Sequence, residues 1–326
     1  MRFRPDPFIL ALVATAILAS ALPATGVALD ALRVASKVAI ALLFFLYGAR
    51  LSTKEALAGL KHWRLHTSIL AMTFVLFPLY GLAARFLVPE ILTRPLYVGV
   101  LLLCLVPSTV QSSVAFTSIA RGNVAGAVVS ASLSNLLGVF ITPLLIAALM
   151  RGTGDAQIDA VSVFKIVVQL FLPFVAGQLV RPLIGRWVAR HDPRLRLFDR
   201  SSILLIVYVA FSEGVNAHVW ATLDAAGLIG LLAVCVVLLA LMLASTIGVG
   251  RALHFDRGDR IALMFCGSKK SLASGLPMAT VLFAGQGVAL IILPLMIFHQ
   301  IQLIVCAWIA GRLSRQDPAP SQVLDT

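Results

Sequence analysis

The chain has 326 residues, 60% hydrophobic and 12% charged, with a mean hydropathy of +0.98 and a formal charge of +12. A soluble domain carries about 45–50% apolar and about 25% charged residues, so this composition excludes a soluble globular protein and places the chain in a bilayer. The positive charge sits in short gaps between apolar runs and forms no patch on a groove-reading element, which excludes nucleic acid as a partner.

A spanning helix needs about 17–25 mainly apolar residues. Ten segments approach or meet that length: 7–24, 34–50, 65–85, 95–119, 123–149, 161–181, 201–220, 226–248, 260–283 and 286–310. Arg2 and Arg4 ahead of the first apolar run would also suit a cleaved signal peptide. With so many spans following, we read a retained first helix. Lys and Arg in short loops set orientation. With the N-terminus in the cytoplasm, eighteen of the 26 basic residues fall inside and six outside or at the outer border; the other two lie within a span. The expectation is a multi-pass protein of the cytoplasmic (inner) membrane with both termini cytoplasmic. The basic loop from Arg181 to Arg200 reads as a positive-inside anchor, and residues 316–326 as a flexible cytoplasmic tail.

Cys104, Cys235, Cys266 and Cys306 lie far apart inside apolar segments, which suggests neither a disulfide framework nor a Cys-x-x-Cys site. No Walker-type loop and no nucleophile–base–acid set is present, so ATP-driven transport and hydrolysis are not favoured. His62 and His66 are four apart without a plausible third ligand, and no metal or cofactor is expected.

Dividing the ten spans at the loop 151–159 gives two halves of five. Because five is odd, the second half enters the membrane from the opposite side, which is the plan of an inverted repeat. The expected units are 1–150 (first five-helix repeat), 151–200 (helix 6 and central basic loop) and 201–315 (remainder of the second repeat). Corresponding irregularities support the parity. The fourth span is interrupted by Pro107-Ser108-Thr109-Val110-Gln111-Ser112-Ser113. The ninth is interrupted by Cys266-Gly267-Ser268-Lys269-Lys270-Ser271, followed by Gly275 and Pro277. Proline removes a donor and clashes with the preceding turn, glycine tolerates unwound backbone, and serine bonds to it locally. Two opposed breaks would bring half-helix ends together near the midplane, where their partial charges can hold ions or a polar substrate group. The alternative is a proline kink in a continuous helix with back-bonded serines.

Lys269 and Lys270 are the most informative residues. An ammonium at membrane depth is costly unless it has a partner, a watery path or an interface to reach, so it marks a transport or gating site by default. Of the other polar residues, Ser130, Ser134 and Asn135 in the fifth span are candidates for a substrate cavity. Ser132 and Asn135, three apart, could share one helical face. Glu213, the one carboxylate in or beside the seventh span, is either a cavity group or part of the outer mouth with Asn216 and His218.

Pro107 with its polar cluster and Arg121-Gly122-Asn123, the Thr142-Pro143 pair, and the Gly267 cluster together resemble the bile acid:sodium symporter family. The chain is most similar to its SBF-like branch, which includes bacterial relatives of the seventh solute-carrier-ten member. The resemblance covers about Asp6–Leu313. It implies an all-α polytopic membrane protein of ten transmembrane helices in two inverted five-helix repeats, with broken helices 4 and 9 crossing. It also implies a panel domain of helices 1, 2, 6 and 7 and a core domain of helices 3–5 and 8–10.

In sodium-coupled members the ninth helix carries a Glu-x-Gly-x-Gln-Asn stretch. Here the glutamate position falls on Phe265, the glycine on Gly267, the glutamine on Lys269 and the asparagine on Lys270. Placing ammonium groups where a hard cation sat would repel Na⁺ severely in a low-dielectric site. The two-sodium mechanism is therefore expected to be lost. Lys269 is expected in the former ion site, bonded to Gln111, Ser112, Ser113 and carbonyl oxygens, and Lys270 toward the substrate cavity. Lysine shifts its pKa readily when buried, so a proton taken up and released there is the favoured coupling particle over sodium.

The expected function is secondary active transport of a small organic, anionic solute by alternating access, without enzymatic activity. Transport and coupling are assigned to Lys269, Lys270, Gln111, Ser112, Ser113, Ser268 and Ser271, and the helix breaks to Pro107, Gly267, Gly275 and Pro277. A sodium-coupled organic anion symporter, a non-transporting membrane regulator with the same fold, and a channel are the alternatives.

Overall fold

The computed structural model describes residues 7–50, 62–150, 160–218, 223–283 and 287–315, and every regular element among them is a helix. Residues 316–326, 51–61 and 151–159, and Gln286, lie outside the described residues. In chain order the helices are α1 (Pro7–Ala21), α2 (Gly26–Arg50), α3 (Trp63–Leu87), α4 (Arg94–Leu105), α5 (Gln111–Ile119) and α6 (Val124–Leu149). The second half holds α7 (Ala160–Arg190), α8 (Asp192–Asn216), α9 (Ala225–Ala252), α10 (Arg257–Gly267), α11 (Leu272–Leu282) and α12 (Val288–Arg315).

Among the described residues, α3, α6, α9 and α12 are long and apolar enough to cross a membrane unaided. Their lipid-facing character is plainest in α9, where Ile229, Leu232, Val236 and Val237 are all exposed large apolar side chains. Such a surface is stable only in hydrocarbon. The protein is a multi-pass, all-α membrane protein.

Element ends depart from the sequence reading where charge misled it. The second helix starts at Gly26, eight residues before the expected 34, and takes Asp30 and Arg33 into its first turns. These charges are tolerated because they stay near the surface, with Arg33 paired to Asp30 and to Glu213 of α8. The sixth expected span runs on to Arg190, absorbing half of the basic loop, and α8 begins at Asp192. The central loop is thus a tight turn at His191 between two long helices.

Side-chain caps fix four of the starts. Asn123, Asp224, Asp256 and Ser271 each accept a hydrogen bond from a backbone N–H in the first turn of α6, α9, α10 and α11. Helices α2 and α7 pack most extensively of all. Gly48 lies against the Phe174 carbonyl and Gly177 against the Phe45 carbonyl, a reciprocal contact in which any Cβ would enter the opposing backbone. Small residues at a membrane helix crossing permit that approach.

Candidate functional site

Both expected breaks exist as unwound backbone. The first separates α4 from α5 at residues 106–110 and contains Pro107; the second separates α10 from α11 at residues 268–271, directly after Gly267. Gly275 and Pro277 lie beyond that stretch, inside α11. The two breaks meet. Ser271 N–H donates to the Pro107 carbonyl at 2.8 Å, Ser108 Oγ to the Cys266 carbonyl at 2.6 Å, and Ser113 Oγ to the Phe265 carbonyl at 3.0 Å. Backbone freed at one break is satisfied by hydroxyls and amides of the other, as membrane depth demands.

Helix α6 supplies the third side. Ser134 Oγ accepts from Ser108 N–H at 3.1 Å, and Thr142 Oγ donates to the Leu105 carbonyl at the end of α4 at 2.8 Å. Asn135 donates to the Ser108 carbonyl at 2.6 Å and accepts from Ser274 Oγ at 2.8 Å, so one amide ties the two breaks together. Gly138 gives Pro107 the room to lie against this helix.

Both lysines are fully buried, 0% exposed, yet their surroundings differ. Lys270 Nζ donates to three carbonyls, Thr73 at 2.9 Å, Cys104 at 2.8 Å and Val106 at 2.7 Å, and sits 4.2 Å from the Phe77 ring centroid. All three ammonium donors are used. Thr73 belongs to a widened π-turn of α3, Met72–Leu76. The Lys270 peptide is clamped by Gln302 of α12, whose Oε1 accepts from its N–H and whose Nε2 donates to its carbonyl, each at 2.8 Å.

Lys269 points the other way. Its Nζ donates to Ser112 Oγ at 3.2 Å and lies 4.4 Å from the centroid of Phe116 and 5.8 Å from that of Phe265. Where the resemblance placed a carboxylate, an aromatic face stands instead; the two rings form a cation–π seat. Ser112 bonds Thr109 Oγ at 2.9 Å, and Thr109 bonds Ser113 Oγ at 3.0 Å, which completes a hydroxyl cluster beside the ammonium.

A cavity of about 1660 Å³ begins at this cluster. Its deep end is polar, with Thr109, Gln111, Ser112, Asn135, Ser271 and Ser274. Its middle is apolar, with Phe44, Leu136, Val139, Phe174, Ile203 and Met278. Its mouth carries Arg50, Arg196, Arg200, Arg312 and Arg315 against Asp192 and Asp199, five cations to two anions. Along α12 the lining runs from His299 to Arg315, about 24 Å at 1.5 Å per residue.

Several expected placements change. Lys270 does not face the cavity; its ammonium is spent on carbonyls, and Lys269 is the lysine that reaches a cavity-lining hydroxyl. Ser268 turns back on the Met264 carbonyl. Ser130 is buried against His66 Nδ1 at 2.6 Å and Ser134 against the Ser108 amide, so of the fifth-span candidates Asn135 lines the cavity, together with Ser132. Glu213 is in an ion pair with Arg33 at 2.6 Å, away from the cavity lining. Sequence reasoning missed Gln302, Tyr47 and Arg50. The polar run His299-Gln300-Ile301-Gln302 in an otherwise apolar span was the available signal for Gln302. Nothing in the sequence set Arg50 apart from other loop-border arginines.

Crossed breaks satisfying one another around a solvent-reaching cavity define a membrane carrier architecture, with no group of His, Cys, Asp or Glu among the described residues that could hold a metal. Residues 6–315 match the SBF-like CPA transporter family, and the chain belongs to that family. It is 51% identical over 315 residues to an uncharacterized protein of Pseudomonas aeruginosa, covering 97% of this chain and 95% of the other. It is 48% identical over 311 residues to YfeH of Escherichia coli, named as a candidate symporter, covering 95% and 93%. It is 30% identical over 313 residues to sodium/bile acid cotransporter 7 of Rattus norvegicus, covering 93% and 91%. The protein is therefore a member of a solute-transporting membrane family.

Proposed function

We propose that this protein carries a small organic anion across the cytoplasmic membrane by alternating access, without the two-sodium mechanism of its distant relatives. The observation that carries this reading is the cavity that joins the crossed breaks to an arginine-rich mouth. An anion is drawn to a mouth of five arginines and two aspartates and reaches a polar end beside a buried ammonium. The cotransporter name of the rat relative agrees with an organic anion, and Phe265 offers no carboxylate for the sodium that the name also carries.

The scheme has ten spans, α4–α5 and α10–α11 each counting as one broken span, in two inverted repeats with both termini cytoplasmic. Packing supports the repeat: α2·α7, α3·α4, α3·α6, α4·α12 and α5·α6 in one sense match α8·α1, α9·α10, α9·α12, α10·α6 and α11·α12 in the other. A panel of α1, α2, α7 and α8 would move against a core of α3–α6 and α9–α12. The arginine-rich mouth is then cytoplasmic, and the described conformation is open to the inside.

Lys269 is the coupling group in this reading. Its ammonium stands in for a bound cation, held by aromatic faces and Ser112, and exchanges a proton with the cavity through that hydroxyl. Lys270, with every donor engaged, fastens the break. Counterflow of labelled organic anions in proteoliposomes tests the reading. Accumulation is expected to persist when choline replaces Na⁺ at constant ionic strength and to vary with pH. Strict Na⁺ dependence would overturn the coupling scheme, and no accumulation across a broad anion panel would favour the regulator alternative.

A further inference from the structure

The mouth of the cavity holds an ion pair with unused capacity on both sides. Arg50, the last residue of α2, donates through Nη1 to Asp199 Oδ2 at 2.5 Å, with Asp192 Oδ1 3.7 Å from Nε. Its Nε and Nη2 are buried and have no hydrogen-bond partner among the described residues, and Asp199 Oδ1 is likewise buried and unpartnered. Arg196 is committed elsewhere, to Asp192 at 2.6 Å. A buried guanidinium that meets its carboxylate through one nitrogen forgoes the two-pronged geometry that makes such pairs strong. Unpaired buried donors on a charged group are costly and call for an explanation.

The side chains around this pair face the transport cavity. Phe44, Tyr47 and Arg50 recur every third residue on α2 and all line it, as do Asp199 and Ile203 on α8. Tyr47 also donates to the Ala273 carbonyl of α11 at 3.3 Å, so the α2 face that carries Arg50 touches the second broken span.

We propose that Arg50 is the anion-recognising residue of the cavity and that Asp199 is its internal competitor: the carboxylate or sulfonate of the solute displaces Asp199 and takes the guanidinium fork from two nitrogens. The free donors are closed to solvent while Asp199 is bound, so they reach the solute as the guanidinium turns from α8 into the cavity. Asp199 keeps a cationic neighbourhood after displacement, since Arg196 and Arg200 flank it on its own helix and line the same mouth. The apolar wall of Phe44 and Phe174 then covers a ring or chain attached to the anionic group. The assignment rests on the organic-anion reading above and adds to it the residue that selects the charge.

The experiment is calorimetric titration of the full chain in nanodiscs with naphthalene-2-carboxylate and naphthalene-2-sulfonate, and with neutral 2-naphthamide as control. Arg50→Gln is expected to weaken both anions by about tenfold or more and leave the amide unchanged. Asp199→Asn is expected to act in the opposite direction, tightening both anions about three- to tenfold by removing the competitor. Arg50→Lys, which keeps the charge and loses the fork, should fall between wild type and Arg50→Gln. A purely structural pair would give the same sign for both partners. Weaker or unchanged anion binding in Asp199→Asn therefore overturns the assignment, and this variant decides the matter even if Arg50→Gln does not fold. Wild-type protein that binds neither anion overturns the organic-anion reading itself, which separates the two failures.

Discussion

Gln302 holds the Lys270 peptide from both sides, accepting its N–H and donating to its carbonyl at 2.8 Å each. A single side-chain amide thus replaces the two backbone bonds that an unbroken helix would give this residue. Its own orientation is set by His299 Nδ1, 2.8 Å from Nε2 and one helical turn away on α12.

Gln302→Leu removes that clamp and leaves two buried backbone groups unpaired. Each costs about 1–3 kcal/mol, so thermal unfolding in detergent should shift down markedly. Gln302→Glu keeps the acceptor and loses the donor, and an intermediate shift is expected. Equal stability of Gln302→Leu and wild type would show that the break does not depend on it.

The lysines should separate by phenotype. Lys270→Met strips the donor from three buried carbonyls, and folded yield and melting temperature should both fall. Lys269→Met gives up one hydrogen bond and a ring contact worth about 2 kcal/mol when desolvated, less than the three carbonyl bonds of Lys270, so folded protein should be recovered. Uptake in proteoliposomes is the deciding measurement for Lys269→Met. It should lose coupled transport and its pH dependence while remaining stable. Normal uptake with an unchanged pH profile would end the proposed role of this residue.

Gly48→Val and Gly177→Val test the tightest helix crossing. Each introduces a Cβ into the opposing backbone carbonyl, of Phe174 and of Phe45 respectively. The helices must separate, at a cost of about 1–3 kcal/mol or more. Lower melting temperature for both, with Gly311→Val as an unaffected control because its Cβ position is open, is the expected result.

Asn135→Leu should hurt stability and transport together. This residue lines the cavity and bonds the Ser108 carbonyl and Ser274 Oγ, one on each broken span. Asn135→Asp retains the acceptor for Ser274 but loses the donor to Ser108 and adds a negative charge beside the anion path. Counterflow of an organic anion should therefore suffer more in Asn135→Asp than its melting temperature does.

Hydropathy alone identified the membrane class and the approximate position of the helices, because hydrocarbon admits only segments that satisfy their own backbone. It also located the interruptions, since Pro107 and Gly267 within apolar runs are local signals. Helix ends were less legible where Asp30 and Arg33 looked like a loop; Glu213, 180 residues away from Arg33, makes that stretch tolerable as helix. The division of labour between two adjacent lysines was decided by tertiary structure. In sequence they are equivalent ammoniums one residue apart. In the fold, unwound backbone turns one toward the carbonyls at the end of α4 and the π-turn of α3, and the other toward the rings of Phe116 and Phe265. The Arg50–Asp199 pair has the same origin: 149 residues separate its partners, and only the packing of α2 beside α8 brings them to one cavity wall. Local pattern carries what the solvent demands of each segment, whereas the partner of a buried charge is set by which distant segment is packed against it.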